Sequence, residues 1–485
     1  MNRSVIALCF WCISSVSSAQ GPITWLNPQT VNTTIGTDWP RVAISHSRVI
    51  VAWGEFTSGT LLCRSFSNGS FGTEKILTPP GYAAAVFGLT GPDLKASGDS
   101  VFIVYAGYDG FHAYLQHSYD GGNTFSDTIR IDNIAGYYPQ YPSLDIMPGG
   151  NPIISYAKLD FGFSDPQYVV TKSLDGGNTF SNPVDATLAV GANPCDCCPG
   201  TMVYRNNVAC VIYRNSINNQ RDMRVAISFD NAQTFSEVGN IDNNGWFFDS
   251  CPSIGGDGDL QGDTLISVFM NGLNGQKCYV STLNVNTLQQ GFQKQLFNLP
   301  DAGLQTHPRM AAKGDTMAVV WEQNIGSDRN IMFTYSLTGA AGLGQTVDTL
   351  SNILTDGFHT NPDIAYSDGK FYVVYADPIL NKIYLMQGIL YGTTGIDNTS
   401  AGLPSIQLSG DFEGNQIRIV NGESIHEAGV ITIFSATGMP CESHVFPAFN
   451  KSQPIHLDHP LSNGLYFISL QTDSGVYTGK FIVSH

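Results

Sequence analysis

One stretch of eight residues occurs three times in this chain at a constant spacing. Residues 118–125 read SYDGGNTF, residues 173–180 read SLDGGNTF and residues 228–235 read SFDNAQTF. The copies begin 55 residues apart both times. A fixed period of this size predicts an array of repeated supersecondary units, and this is the strongest constraint on the fold.

Each copy, which we call a repeat turn, has the composition of a tight hairpin turn. Its Ser and Asp side chains accept hydrogen bonds from nearby backbone N–H groups, Gly tolerates a positive φ, and the final Phe packs back under the turn. The carboxylates concerned are Asp120, Asp175 and Asp230. We therefore predict that the repeat turns belong to the scaffold.

A second repeat predicts the structure of each unit. Seven prolines, spaced 50 to 57 residues apart, each open a short apolar strand: Pro40, Pro92, Pro142, Pro199, Pro252, Pro308 and Pro362. A turn and a second strand follow, at residues 49–53, 101–105, 152–156, 208–213, 265–269, 317–321 and 371–375. Two further strands flank each repeat turn. Four short strands in a unit of about 50 residues are the signature of a β-propeller blade.

These openings predict an all-β chain that consists of a seven-bladed β-propeller over residues 20–394 and a small C-terminal β-sandwich over residues 395–485. The seventh unit has only three strands, so we expect residues 23–31 to supply its fourth strand. Closing the ring in this way removes the last open sheet edge. A six-bladed ring is the alternative.

The N-terminus and the charge balance indicate export. Residues 1–19 read as a signal peptide, with Arg3, an apolar run over residues 5–16 and Ser17-Ser18-Ala19 before the cleavage point. No stretch predicts a transmembrane helix. The net charge of −17 argues against nucleic acid and anionic membrane as partners, because both require a basic face. We expect a secreted or cell-surface protein.

The repeat turns resemble the Asp box, or BNR repeat, of sialidase-like β-propellers. The shared pattern is S-x-D-x-G-x-T-F, with Ala232 replacing Gly in the third copy. The resemblance implies a sialidase-like propeller in which the boxes are scaffold turns that lie away from the active face. It is also the reason for the six-bladed alternative, since the enzymatic sialidases have six blades.

Residues 395–485 resemble the C-terminal sorting domain of the type IX secretion system of Bacteroidetes. The shared motifs are LSNGLYFISL at 461–470, GKFIV at 479–483, and ITIFS at 431–435 followed by Ala436-Thr437-Gly438. The resemblance implies a β-sandwich that the secretion machinery recognises as an address. A carbohydrate-binding or immunoglobulin-like accessory domain is the alternative.

The opening prolines also predict where a ligand binds. In a propeller the inner strand of each blade lines a central channel, so residues near the openings converge on one mouth of that channel. We expect an extracellular glycan or protein there, and ordinary packing or solvation is the alternative for each residue. The candidate binding residues are Trp39, Tyr141, Arg214, Arg221, Trp246, His307 and His359.

A sialidase-like glycoside hydrolase would need three arginines around a carboxylate, a Tyr–Glu pair and an Asp. Planar guanidinium groups suit a carboxylate. The candidate catalytic residues are Arg41, Arg309, Arg329, Glu322 and Asp363. However, the family's Arg-Ile-Pro opening is absent, because Trp39-Pro40-Arg41 has its Arg after the Pro, and no Tyr–Glu pair is identifiable. Whether the chain is an enzyme therefore stays open.

Four cysteines meet at the openings of units four and five: Cys195, Cys197, Cys198 and Cys251. We predict two structural disulfides, with a vicinal Cys197–Cys198 link as one candidate, because the chain is exported. A thiolate site for copper or zinc is the alternative. It makes a metal-binding protein the third functional candidate, after a binding module and a hydrolase.

No other cofactor is expected, with one candidate exception. The acidic run 257–263, placed between the first and second strands of unit five, has carboxylates that suit calcium. A solvated acidic turn is the alternative.

Overall fold

The structure is a computed structural model. It describes residues 23–33, 37–46, 48–87, 90–162, 165–297, 303–351, 357–390, 407–413, 416–419, 428–435, 440–446, 455–457, 459–472 and 475–483. The predicted signal peptide, the linker at 392–395 and the turn at 436–438 lie outside the described residues. The chain divides into two compact units, of which one is Thr24–Leu390 and the other holds the described strands from Gln407 to Val483.

Seven antiparallel sheets make up the described part of the unit Thr24–Leu390. We number them in chain order and give their strands from the inner strand outward. Sheet 1 has Thr37–Ser45, Arg48–Glu55, Leu61–Ser67, Ser70–Phe71 and Lys75–Ile76; sheet 2 has Asp93–Ser97, Ser100–Ala106, Ala113–Ser118 and Ile129–Arg130; sheet 3 has Tyr137–Met147, Asn151–Asp160, Gln167–Lys172 and Val184–Asp185; sheet 4 has Thr201–Arg205, Val208–Arg214, Met223–Ser228 and Glu237–Asn240. Sheet 5 has Gly256–Gln261, Thr264–Asn271, Lys277–Asn284 and Gln290–Gln295; sheet 6 has Gln305–Lys313, Thr316–Ile325, Asp328–Ser336 and Val347–Thr349; sheet 7 has Thr360–Ser367, Lys370–Asp377, Lys382–Leu390, Ile23–Trp25 and Gln29–Thr30.

The sheets form a closed ring. Each inner strand contacts the inner strand of the next sheet, and that of sheet 7 contacts that of sheet 1. A ring of such sheets around a central axis is the β-propeller architecture. The all-β fold class is therefore confirmed. The number of blades stays a prediction, for which these seven sheets provide support.

The N-terminal strands complete sheet 7, as the sequence predicted. Both Ile23–Trp25 and Gln29–Thr30 lie beside Lys382–Leu390. Further along, the Val31 amide donates to the carbonyl of Ile383 at 2.8 Å. Strands from the two ends of the unit thus cover an edge that would otherwise stay open.

The hydrophobic core lies between neighbouring sheets. Apolar side chains of each sheet interdigitate with those of the next, and Trp53 and Trp321 are fully buried in this way. The final Phe of each repeat turn joins the core on the side of the preceding sheet, as Phe235 does between sheets 3 and 4. Packing that repeats from sheet to sheet explains the constant spacing of the sequence repeat.

The repeat turns link the third and fourth strands of sheets 2, 3 and 4. In the first, one oxygen of Asp120 accepts from the amides of Asn123 and Thr124 at 2.9 Å, and the other accepts from the Thr124 hydroxyl at 2.6 Å. Asp175 and Asp230 repeat this arrangement. Burial acts to raise the pKa of Asp230, but these hydrogen bonds outweigh it and lower that pKa to about 2.

Antiparallel order gives the propeller two different faces. The inner strands begin on one face, where the loops between second and third strands and those between consecutive sheets also lie. We call this the mouth face. The repeat turns lie on the opposite face, because they follow the third strands. The scaffold turns are thus away from the channel mouth.

Two strand predictions need correction. The prolines were expected to begin the inner strands, but in sheets 1, 3, 6 and 7 they lie inside those strands. In sheet 5 the inner strand begins at Gly256, four residues after Pro252. Residues 257–261 therefore belong to this inner strand and do not form a loop between strands. All seven predicted second strands are confirmed.

The second unit is also built of strands. The described strands are Gln407–Glu413, Gln416–Ile419, Gly429–Ser435, Pro440–Phe446, Ile455–His456, Gly464–Thr472 and Gly475–Val483. Gly429–Ser435 pairs with Gly464–Thr472, which pairs in turn with Gly475–Val483. The motifs used for the sorting-domain prediction thus lie on neighbouring strands.

Three short 3-10 turns lie wholly within the described residues. They are Leu188–Val190, Ile217–Asn219 and Ala340–Gly342. None of the helices in the described ranges has the length and apolarity of a membrane span.

Candidate functional site

A β-bulge occurs at the same place in four inner strands. The pairing register skips two residues at Trp39-Pro40, Tyr141-Pro142, His307-Pro308 and Asn361-Pro362. The residue before each proline has a left-handed backbone, with φ between 50° and 53°. Such a conformation costs about 1–3 kcal/mol for a residue other than glycine and is often found at functional sites.

Proline suits the second position of these bulges. It has no N–H group, so no donor is left without a partner where the ladder is interrupted. It also disfavours the right-handed helical region for the preceding residue. The bulges turn Trp39, Tyr141, His307 and Asn361 toward a cavity at the channel mouth that is lined by residues from all seven sheets.

A charged cluster lies at this mouth, and its residues Arg309 and Asp93 line the cavity. Arg309 lies among three carboxylates: its Nε is 3.0 Å from Asp363 Oδ1 and 3.6 Å from Asp257 Oδ2, and its Nη2 is 3.7 Å from Asp93 Oδ1. Burial acts to lower the pKa of Arg309, but Asp257 and the other two carboxylates raise it above its usual range. Arg309 is therefore held as a fixed cation.

The same carboxylates join neighbouring sheets. Asp363 accepts from the Val42 amide, Asp93 from the Leu144 amide and Asp257 from the Met310 amide, each at 2.9 Å. Thr201 donates to the Gly256 carbonyl at 2.7 Å in the same way. These bonds run from one inner strand to the next, so they tie the ring together.

The predicted arginine clamp does not assemble in this structure. Arg41 and Arg309 both line the mouth cavity, but Arg309 already has its carboxylates and Arg41 is buried. Burial, with the nearby Arg309, lowers the pKa of Arg41. Arg329 and Arg214 are not among the residues that line the cavity. No three free guanidinium groups converge within the described channel.

A second polar cluster lies where sheets 1, 6 and 7 meet. Glu322 is 2% exposed and accepts from the Asn361 amide at 2.7 Å, while His307 Nδ1 is 3.1 Å away and Arg329 Nη1 is 3.4 Å away. The Asn361 side chain donates to Asp38 Oδ1 at 2.8 Å. Asn361 therefore links two carboxylates, and a tyrosine is not among the partners found for Glu322.

The pKa values of Asp38 and Glu322 shift in opposite directions in this environment. Burial raises the pKa of Asp38, despite hydrogen bonds from Asn361 and from the Trp39 amide. Burial also acts on Glu322, but His307, Asn361 and Arg329 outweigh it and lower its pKa. The environment thus favours the protonated form of Asp38 and the ionised form of Glu322, relative to the same groups in water.

The candidates of sheet 4 form a scaffold beside the mouth. Arg214 is fully buried, and its three nitrogens donate to the carbonyls of Ile254, Arg221 and Met270 at 2.6–2.9 Å. Its guanidinium lies 5.3 Å from the Trp246 ring centroid. Arg221 donates to the Phe248 carbonyl and to Ser216 Oγ. These contacts hold the loops in place, and they occupy the guanidinium groups that a ligand would otherwise bind.

His359 lies apart from the mouth cavity. Its side chain is fully buried, its Nε2 is 3.7 Å from Asp377 Oδ2 and its ring packs edge-on against Tyr375. Burial lowers its pKa, so the neutral imidazole is favoured.

The four cysteines come together between the openings of sheets 4 and 5. Their sulfur atoms all lie within 4.8 Å of one another. Cys197 and Cys251 form a disulfide, and Cys195 Sγ lies 3.4 Å from Cys197 Sγ. Cys195 and Cys198 are buried free thiols, so the vicinal Cys197–Cys198 pairing is not the one present.

The calcium candidate has cationic partners already. Asp257 lies near Arg309, and Asp259 Oδ1 is 3.4 Å from Arg205 Nη2. Because a strand holds both residues, they do not form a loop around an ion. The calcium assignment stays a prediction without added support from this geometry.

Five aromatic side chains, four of them exposed and one of them (Tyr138) partly buried, gather on the mouth face. Phe111, Tyr138 and Phe161 lie with ring centroids 4.9–6.1 Å apart, and Phe87 lies 6.2 Å from Tyr108. We call these five residues the aromatic patch. Phe111, Phe161 and Tyr108 are 47%, 56% and 65% exposed. Clusters of exposed aromatic side chains mark an interaction site more often than scattered residues do.

Comparison with known proteins gives fold likenesses of low similarity. No protein-family model and no curated protein matches the chain. A protein of unknown function from Dyadobacter fermentans is 12% identical, with 64% of this chain and 98% of that chain covered and a TM-score of 0.44. A PL25 ulvan lyase is 11% identical, with 74% and 95% covered and a TM-score of 0.46.

A mutant of Trypanosoma rangeli sialidase with trans-sialidase activity is 8% identical, with 96% of this chain and 89% of that chain covered and a TM-score of 0.46. Similarity at this level assigns no activity to this chain.

Sequence reasoning missed three parts of the site. Asn361 precedes an opening proline and was recognisable only by that position. The sequence predicts a loop at Asp257, but the inner strand of sheet 5 begins four residues after Pro252 and includes this residue. The aromatic patch joins loop residues of sheets 2 and 3 with Tyr138 of an inner strand and Phe87 of the connection between sheets 1 and 2, and no spacing rule joins such distant residues.

We predict that Arg309→Met destabilises the propeller by about 3–5 kcal/mol, because three carboxylates would remain in the channel without their cation. Urea unfolding followed by fluorescence measures this change. Arg205→Met, at a surface ion pair with Asp259, should change stability by less than about 1 kcal/mol. Equal small effects for both variants would show that the cluster contributes little.

Proposed function

We propose that this chain is a secreted protein whose propeller binds an extracellular glycan on the mouth face. The observation that carries this proposal is the aromatic patch beside the channel mouth. Tyr138 of the patch and Tyr141 of the mouth are three residues apart on the same inner strand. A ligand that covers the patch can therefore extend to the mouth cavity.

The chemistry of this surface suits a carbohydrate. Aromatic rings pack against the apolar C–H faces of sugar rings, and nearby polar groups bond to the hydroxyls. The mouth offers both kinds of group, since Tyr141 and His307 are partly exposed there and line the same cavity as Asn361. A protein ligand would use the same aromatic surface and is the alternative partner.

Charge favours a neutral glycan over an anionic one. The arginine at the centre of the channel is neutralised by three carboxylates, and the net charge of the chain is −17. A free guanidinium fork is what a sugar carboxylate requires. We therefore propose neutral oligosaccharides as the ligand class.

A glycoside hydrolase is the second candidate, and the pair Asp38 and Glu322 favours it. A carboxyl group with a raised pKa next to an ionised carboxylate is the arrangement used for general acid catalysis. Glu322, however, is buried and has four polar partners, including Thr306 at 3.3 Å. These contacts favour a positioning role for Glu322. We therefore rank glycan binding above glycoside hydrolysis as the proposed function.

We further propose that the second unit directs export through the type IX secretion machinery. Support comes from the sorting-domain motifs in its sequence and from their position on paired strands. The signal peptide proposed at residues 1–19 would direct the chain across the first membrane on its export route.

We predict that Phe111→Ala and Phe161→Ala each weaken glycan binding by about tenfold, because each removes an exposed ring from the patch. A glycan array identifies an oligosaccharide ligand, and calorimetry measures its Kd. Phe229→Ala is the matched control, since Phe229 is 40% exposed but lies on the face of the repeat turns. Equal weakening by all three variants, or no glycan bound, would contradict the proposal.

For the hydrolase candidate, we predict that Asp38→Asn abolishes turnover and leaves ligand binding within about twofold, since the amide cannot donate a catalytic proton. The rate should fall as pH rises through the raised pKa of Asp38. Product analysis by chromatography measures turnover. Asp249→Asn, at an exposed carboxylate bonded to Asn219, is the control. Absence of turnover in the wild-type protein would eliminate this candidate and leave the binding function standing.

For export, we predict that a chain ending at Thr394 stays inside a host that has a type IX system, whereas the full chain reaches the outer surface or the medium. Cell fractionation and immunoblotting measure the distribution. The full chain carrying Phe229→Ala is the control for a change that leaves the second unit intact. Release of the shortened chain would contradict the sorting role.

A further inference from the structure

A four-cysteine cluster beside the channel mouth has a geometry that the binding function does not use. The sulfur atoms of Cys195, Cys197, Cys198 and Cys251 all lie within 4.8 Å of one another. Four thiolates around one cation with metal–sulfur bonds of about 2.3 Å require sulfur separations in this range. The chain brings them from two openings that lie in different sheets.

We propose that the reduced cluster is a tetrahedral thiolate site for a soft d10 cation, Zn²⁺ or Cu⁺. The structure shows the oxidised form, in which Cys197 and Cys251 are joined. A dithiol reductant breaks this bond: two thiols form on the protein while the dithiol becomes a disulfide. Metal binding then releases the thiol protons as the four sulfurs become thiolates.

Two backbone amides point at sulfur atoms of the cluster. The Cys197 amide donates to Cys195 Sγ, and the Ser253 amide donates to Cys198 Sγ. Backbone N–H groups directed at sulfur are the second shell that stabilises and orients thiolate ligands. Cys195 and Cys198 are each 1% exposed, so little water reaches this side of the site.

A buried cation next to the cluster provides an independent argument. Arg214 is fully buried and donates to carbonyl groups, and the Asp242 carboxylate interacts with it electrostatically from beyond salt-bridge distance. Arg214 and Arg221 both interact electrostatically with Cys195. A complex of one dication with four thiolates has a net charge of about −2. The two positive guanidinium groups balance this charge. Buried charges are retained where such a partner exists.

The wall of the cluster is also the wall of the mouth. Tyr168 donates its hydroxyl to the Cys198 carbonyl at 2.8 Å, and Pro199 and Ser253 line the mouth cavity. The site therefore fixes the two openings against each other in both states, by a disulfide when oxidised and by a metal when reduced.

The test uses the full mature chain, reduced with a dithiol under nitrogen, with Co²⁺ as a spectroscopic probe for Zn²⁺. We expect one Co²⁺ per chain with a sulfur-to-metal charge-transfer band and the visible bands of tetrahedral thiolate coordination. Zn²⁺ should displace the Co²⁺ and remove these bands. A parallel titration with Cu⁺ and a chromophoric chelator shows which cation is held more tightly.

Two variants separate a ligand role from a folding role. Cys198→Ser and Cys251→Ser should each weaken Co²⁺ binding by more than about tenfold and lower the charge-transfer intensity of the Co²⁺ that still binds, since three thiolates remain. Cys251 is exposed, so its substitution leaves the packing in place, as near-ultraviolet circular dichroism will show. Cys210→Ala, at a buried cysteine in the same sheet but outside the cluster, should bind as the wild type does.

The proposal is overturned if reduced, folded wild-type protein takes up no Co²⁺, or if both cluster variants bind Co²⁺ with wild-type affinity and spectrum. Glycan binding is measured on the same samples. Loss or retention of glycan binding tests the mouth proposal, whereas Co²⁺ uptake tests the cysteine site. The two proposals therefore fail separately.

Discussion

The propeller depends on side-chain bonds that connect inner strands of neighbouring sheets. Asp93, Asp257 and Asp363 accept from amides in the next sheet, and Arg309 lies among the three of them. Backbone ladders run only within a sheet, so without such bonds the ring would be held mainly by apolar packing. The cluster fixes the spacing of the sheets around the channel, and with it the position of the mouth.

This constraint decides which polar residues are available for function. Charged groups in the channel bond to one another and to the backbone, and they serve as scaffold. The bulges above them, at Trp39, Tyr141, His307 and Asn361, direct side chains of varied chemistry toward one cavity. The exposed aromatic patch lies on the same face. We therefore propose the rim and the mouth as the binding surface, while the repeat turns lie on the opposite face.

Most of the fold was predictable from the sequence, because local signals repeat in it. The repeat turns, the opening prolines and the alternating strands fixed the all-β class, the second strands and the closing N-terminal strands. The site was less predictable, because its contacts join residues far apart in sequence. Nothing in the spacing showed that Arg309 would be neutralised by Asp93, or that Phe111 would meet Phe161. The four cysteines were the exception, since their rarity and position predicted the cluster.

Hydrogen exchange measured by mass spectrometry, with and without a saturating oligosaccharide, tests the central claim that the mouth face binds the ligand. We predict slower exchange at residues 107–112 and 160–162 and at the bulges, with no change at residues 118–125, 173–180 and 228–235. Protection confined to the repeat turns, or to the second unit, would contradict the account.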